Sequence, residues 1–317
     1  MSEQLRIVFM GTPDFAVATL KNIVASNYKV VGVITAPDKP AGRGRKLQQS
    51  AVKKYAEENN LNVLQPTNLK DPNFLEELKA LDANLQVVVA FRMLPEVVWS
   101  MPTHGTFNLH ASLLPDYRGA APINWALING ETKTGVTTFF IDEKIDTGAV
   151  ILQKEIPIEA DENAGALHDK LMNLGADLVT ETLKNIAEGT VTTKLQLQTT
   201  DLKTAYKLNK DNTKIDWNLN TETIYNLIRG LSPYPTAWSF LKNREENPIN
   251  VKFYDVEKEI KLHNEDPGAI LADKKEVKVA TKDGFINLKE IQLPGKRKMN
   301  IKDILNGYEF DKKAKML

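Results

Sequence analysis

The chain has 317 residues, 42% of them hydrophobic and 26% charged, with zero formal net charge, a profile of folded globular protein long enough for two domains. It contains no cysteine, which excludes disulfides and thiolate metal sites, and its four histidines show no paired ligand spacing, so no metal is expected. No stretch approaches the ~18 apolar residues of a membrane span, and MSEQLRIVFMG has too short an apolar run for a signal peptide, so a cytoplasmic protein without membrane contact is expected.

Leu5–Met10, LRIVFM, reads as a buried parallel strand. Gly11-Thr12-Pro13 turns it, and Asp14 is expected to cap a helix carrying Phe15, Val17, Leu20, Ile23 and Val24. Gly11 stands alone where a dinucleotide site needs G-x-G-x-x-G, so a nicotinamide cofactor is not expected. A second strand, Val30–Thr35, leads into Ala36–Ser50, read as a loop with Lys39, Arg43, Arg45 and Lys46 among prolines and glycines. Arg43, between two glycines, can reach a phosphate or stack on a base; a plain surface loop would leave it solvated. Next come a helix over Val52–Glu58, a short strand at Val63–Gln65, a helix over Asp71–Leu81, a strand over Leu85–Phe91 and a helix from Leu94. This alternation predicts an α/β architecture, a doubly wound and mainly parallel sheet with helices on both faces.

Phe107–Asn129, FNLHASLLPDYRGAAPINWALIN, departs from that pattern. Phe107, Leu109 and Ala111 alternate with Asn108, His110 and Ser112, so one strand face collects an amide, an imidazole and a hydroxyl. A structural strand would carry Val or Ile there. Pro115 ends the strand, Arg118–Pro122 turns, and Pro122 opens a helix. Asn108 and His110 can donate to an oxygen that becomes negative during acyl transfer, and such chemistry needs a carboxylate to orient the imidazole and move a proton. Asp146, in the turn Ile145-Asp146-Thr147-Gly148 after the strand Gly135–Ile141, is the candidate. Each of the three alone reads more readily as a structural residue; the combination points to a site.

A further strand follows at Gly148–Leu152, extended by Glu155–Ile158, and then an amphipathic helix over Leu167–Ile186, with His168 on its surface. Val191–Lys207 is polar and threonine-rich and reads as an extended linker. A helix over Thr221–Leu231 opens a second unit. Five short strands follow, at Ala237–Leu241, Ile249–Val256, Gly268–Ala272, Glu276–Ala280 and Phe285–Leu293, and suggest a small OB-like barrel. Residues 1–200 carry 19 basic and 23 acidic side chains, and 201–317 carry 22 and 18. This modest positive bias, with the Lys296–Lys298 cluster, is compatible with phosphate contacts or with a solvated turn.

NLHASLLPDYRGAAPINWALINGE followed by IDTG resembles the active-site segment of the methionyl-tRNA formyltransferase family. The likeness extends to MGTPDFA at Met10–Ala16, PDKPAGRGRKL at Pro37–Leu47 and KIDW at Lys214–Trp217. The Asn-x-His with a distant Asp-Thr-Gly is common to several enzymes that use 10-formyltetrahydrofolate. The basic loop and second domain narrow it to the tRNA enzymes. The resemblance implies a Rossmann-like catalytic domain over 1–189, a linker over 190–207 and an OB-like tRNA-binding domain over 208–317. It implies formyl transfer from 10-formyltetrahydrofolate, a cosubstrate and not a tightly bound cofactor, to the methionine of initiator methionyl-tRNA. Asn108, His110 and Asp146 would be catalytic, Ser112, Leu113, Leu114 and Pro115 would line the folate site, and Arg43 would touch tRNA. A monomer is expected. One segment departs from the family: Ala90-Phe91-Arg92-Met93-Leu94-Pro95 has Arg92 where a glycine region borders the pteridine pocket. Two other readings stay open, a formyl-folate enzyme acting on a small acceptor or water, and a non-catalytic RNA binder on the same fold.

Overall fold

The structure, a computed structural model, describes residues 4–26, 28–41, 46–197, 201–244 and 247–317. Packing divides the chain into two compact units. The first is Met1–Gly119, Thr134–Ile156 and His168–Thr204; the second is Ala120–Lys133, Pro157–Leu167 and Ala205–Leu317.

The first unit is built on a seven-stranded sheet in the order Val150–Pro157, Lys133–Phe140, Thr106–His110, Leu85–Val89, Arg6–Gly11, Lys29–Ile34, Val63–Leu64. Adjacent strands from Thr106–His110 to Val63–Leu64 run parallel, and Lys133–Phe140 pairs antiparallel with Thr106–His110. The chain begins in the middle, winds to one edge, then returns and winds to the other, which is the doubly wound arrangement. Ile7, Val8, Phe9 and Met10 have no exposed surface, as expected of a strand covered on both faces. Period-two alternation divides them. Val8 and Met10 pack with Phe74 and Leu78 of helix Pro72–Ala80 and with Val98 of Glu96–Trp99. On Thr106–His110, Leu109 meets helix Ala164–Glu188 at Gly175, where an added Cβ would come within 2.7 Å of Leu109 Cδ2.

Helix ends follow local chemistry. Ser50 caps Ala51–Glu58 through Lys53 N–H at 3.0 Å, and Asp71 caps Pro72–Ala80 through Asn73 N–H at 2.9 Å. Asp14 does not cap its helix: Pro13 occupies that position and Asp14 lies in the first turn, where its charge favours the positive helix end. The stretch read as a loop, Ala36–Ser50, contains an antiparallel pair, Lys39–Ala41 with Lys46–Gln48. Asp38 precedes it, and hydrogen bonds from Lys53 and Gln65 hold its carboxyl below the usual range. Arg43 lies outside the described residues.

The second unit is an antiparallel sheet ordered Ile270–Ala272, Val277–Ala280, Gly284–Gln292, Ile249–Ile260, Ala237–Lys242, Lys315–Met316. Lys315 bridges back to Ala269, and Met316 N–H donates to Gly268 O at 2.8 Å, so the sheet curls into a nearly closed barrel. Its core holds Val251, Phe253, Val279, Ile286 and Ile291, capped by Ile224, Ile228 and Leu231 of helix Thr221–Leu231. The α/β sheet and the small barrel are those expected from the sequence pattern.

Candidate active site

Asn108 and His110 are two residues apart on Thr106–His110, so their side chains share a face. The strand is held on both sides, Asn108 opposite Val88 and Phe139, His110 opposite Thr137. His110 is buried, and its Nε2 lies 2.8 Å from Tyr117 O. A carbonyl only accepts, so Nε2 carries a hydrogen, and Nδ1 is the ring nitrogen that faces Asp146. Nδ1 lies 3.8 Å from Asp146 Oδ2, longer than a hydrogen bond but within direct charge contact. Asn108 is half-buried, and among the described residues its amide makes no side-chain hydrogen bond.

Asp146 reaches this position through a strained turn. Its φ is +54°, in the left-handed region that few non-glycine residues adopt. Its Oδ2 accepts from Gly119 N–H at 2.9 Å. Gly148, two residues on, admits no side chain, because a Cβ there would lie 1.7 Å from Phe140 O. The sequence-predicted trio is thus brought together by a strand end and two turns.

In the turn Ser112–Pro115, the polar groups of Ser112 and Leu114 are taken up by neighbouring residues. Ser112 Oγ donates to Asp116 O at 2.7 Å, and Ser112 O accepts from Thr137 Oγ1 at 2.6 Å. Leu114 N–H donates to Thr137 Oγ1 at 3.2 Å, and Leu114 O accepts from Gln153 Nε2 at 2.8 Å. Leu113 and Pro115 keep part of their surface exposed. Thr137 and Gln153 were not legible as part of this site, because each stands singly in an ordinary strand pattern. Arg92 donates from Nη1 to Thr67 O at 2.9 Å and from Nη2 to Pro66 O, and its guanidinium lies 5.5 Å from the Phe91 ring centre. Burial lowers the pKa of this guanidinium. Among the described residues, no group of three or more His, Cys, Asp or Glu could hold a metal ion, and no helix is long and apolar enough to cross a membrane.

Two family models match the chain: formyl transferase over residues 5–183, and formyl transferase, C-terminal domain, over 207–309. A methionyl-tRNA formyltransferase of Flavobacterium johnsoniae is 63% identical over 99% of both chains. One from Bacteroides fragilis is 54% identical over 99% of this chain and 98% of its own. The chain belongs to the methionyl-tRNA formyltransferase family. Its fold is also that of an N-formyltransferase from Helicobacter canadensis, solved with folinic acid and dTDP-3-aminofucose, with a TM-score of 0.61, 21% identity, and coverage of 90% of this chain and 98% of that one.

In this formyltransferase the second unit carries a feature that sequence reading missed. A cavity of about 670 Å³ is lined by Lys207, Lys210, Lys252, Tyr234 and Trp238, among others. Lys210 and Lys214 place their ammonium groups 5.4 and 5.9 Å from the Trp238 ring centre. The clue in the sequence was Lys207, Lys210 and Lys214 at short intervals, hidden by the distance to Trp238. In the Lys296–Lys298 cluster, Lys298 is less available: its Nζ pairs with Glu290 at 2.6 Å and lies over Tyr254.

Proposed function

We propose that the chain transfers the formyl group of 10-formyltetrahydrofolate to the α-amino group of methionine on initiator methionyl-tRNA. The observation that carries the chemistry is the approach of Asp146 Oδ2 to His110 Nδ1 at 3.8 Å, beside an Asn108 amide with no internal partner among the described residues. The family membership supplies the substrates.

The uncharged amine attacks the formyl carbon, and the carbonyl oxygen gains the electron pair. Asn108 donates to that oxygen, and His110, protonated at Nδ1, adds positive charge beside it. Asp146 steadies the imidazolium and helps relay the proton lost by the amine. When the intermediate collapses, the bond to the folate nitrogen breaks and that nitrogen receives the proton. Ser112 and Leu114 spend their hydrogen-bonding groups on Asp116, Thr137 and Gln153. The folate contact is therefore assigned to the open surfaces of Leu113 and Pro115, with Ser112 and Leu114 setting the turn's shape. Arg43 and the lysines of the second-unit cavity supply phosphate contacts, and Trp238 offers a face on which a base can stack.

The test is a formylation assay with charged initiator tRNA, charged elongator tRNA, a small amine acceptor, and no acceptor. Transfer confined to initiator methionyl-tRNA supports the reading. Formate release without an acceptor, or efficient transfer to the small amine, would replace it with one of the other formyl-folate activities. A steep fall in tRNA affinity with salt, reduced in Lys210→Ala, checks the phosphate contacts.

A further inference from the structure

Gln196 lies in the polar stretch after helix Ala164–Glu188, which reads from composition as linker. The structure ties that stretch to the sheet of the first unit: Lys194 N–H donates to Val150 O at 2.9 Å, and Val150 N–H to Lys194 O at 2.8 Å. Two residues on, the half-buried Gln196 amide reaches two turns at once. Its Nε2 donates to Asp146 O at 3.0 Å and to Gly148 O at 2.8 Å. Its Oε1 accepts from Arg118 Nε at 3.1 Å and from Nη2 at 2.7 Å. A guanidinium only donates and a carbonyl only accepts, so the amide has one satisfactory orientation.

The position of this clamp gives it a purpose. Arg118 precedes Gly119, whose N–H holds the Asp146 carboxylate at 2.9 Å. Gln196 therefore grips the Asp146 turn by its backbone and, through Arg118, braces the turn that grips the same residue by its side chain. Asp146 has a φ of +54°, so its turn needs outside bonds to persist. We propose that Gln196 is a positioning residue for the transfer reaction: it clamps Asp146–Gly148 to Arg118 and so fixes the Asp146 carboxylate beside His110. This rests on the catalytic role of Asp146 set out above.

The experiment uses the full chain with Gln196→Met, Gln196→Glu, Asp146→Asn and the double variant Gln196→Met/Asp146→Asn, measuring formylation kinetics and thermal unfolding. Gln196→Met keeps the length but loses every hydrogen bond; misplacing a reacting group in this way lowers kcat by on the order of 100-fold. KM for 10-formyltetrahydrofolate is expected within about twofold of the parent, because the lost interaction acts on the reaction step. Gln196→Glu keeps the acceptor for Arg118 but has no N–H for the two carbonyls, and it is expected to be as slow as Gln196→Met. The double variant is expected within about twofold of Asp146→Asn alone, because the clamp has nothing left to position. A parent-like kcat in Gln196→Met or Gln196→Glu, or a double variant slowed by the product of the single effects, would overturn the inference. If Gln196→Met lost its folded state in the melt, Gln196→Glu would decide. Parent-like turnover in Asp146→Asn would instead overturn the role of Asp146, an outcome read independently of Gln196.

Discussion

The end of the Thr106–His110 strand and the interior of the barrel both bury polar side chains, but on different terms. In the barrel, several polar groups close on one another, although Asn287 Oδ1 is buried without a partner among the described residues. Trp217 Nε1 donates to Ser239 Oγ at 2.9 Å, and Ser239 Oγ donates to Leu317 O at 2.8 Å. Thr221 Oγ1 meets Thr281 Oγ1 at 2.7 Å and Asp283 Oδ1 at 2.8 Å. At the strand end the bonding stays incomplete: among the described residues Asn108 has no side-chain partner, and His110 Nδ1 stops 3.8 Å from Asp146. A buried polar group that is satisfied stabilises the fold; one held open is available to a substrate. The two regions therefore respond differently to mutation.

The largest effect is expected where the barrel interior is purely apolar. Phe253 is fully buried and meets Trp217 edge to face at 5.7 Å. Phe253→Ala is expected to cost about 3–5 kcal/mol of unfolding free energy, read by urea denaturation. At the strand end, the loss should fall on rate. Asn108→Ala or His110→Ala is expected to lower kcat by roughly 100–1000-fold, about 2.7–4 kcal/mol of activation free energy. Asn108→Ala should nevertheless unfold within about 0.5 kcal/mol of the parent, since no internal bond is lost. An Asn108 variant that was slow only because it was unstable would erase the distinction between the two regions. Ser239→Ala tests the other side of it. It leaves a buried indole N–H without its acceptor, and is expected to cost about 1–3 kcal/mol of stability while kcat stays near that of the parent. The smallest effect is expected at Asp71, where Asp71→Ala removes a helix cap worth ~1 kcal/mol and measures what an ordinary half-buried polar residue contributes.

How much of this was legible in the sequence varied with the range of the interaction that decided it. LRIVFM and LQVVVAF announce central strands because both faces are covered, so every position but Arg6 and Gln86 is apolar. The Asn108–His110 pair stood out because it breaks the expected strand composition. The turn of Asp146 was visible through its glycine, yet the backbone strain and the grip of Gly119 depend on contacts distant in sequence. Asp14 was assigned as a cap from residue type alone, and Pro13 took the position because the extended backbone there already suits a helix entry. Gln196 was invisible: its neighbours Leu195 and Leu197 are exposed and the stretch is polar, so nothing local separates it from a tether. The basic cavity of the second unit escaped notice for the same reason, since Lys207 and Trp238 are joined only by the fold.

The ring formed by Gly268, Ala269 and Lys315–Met316 has a consequence for synthesis. Strand Ala237–Lys242 is made long before its partner Lys315–Met316, so on the ribosome it waits with an unpaired edge. Exposed edges recruit other strands. A chain truncated short of residue 315 is therefore expected to stick to its neighbours, and restoring Lys315 and Met316 removes the hazard.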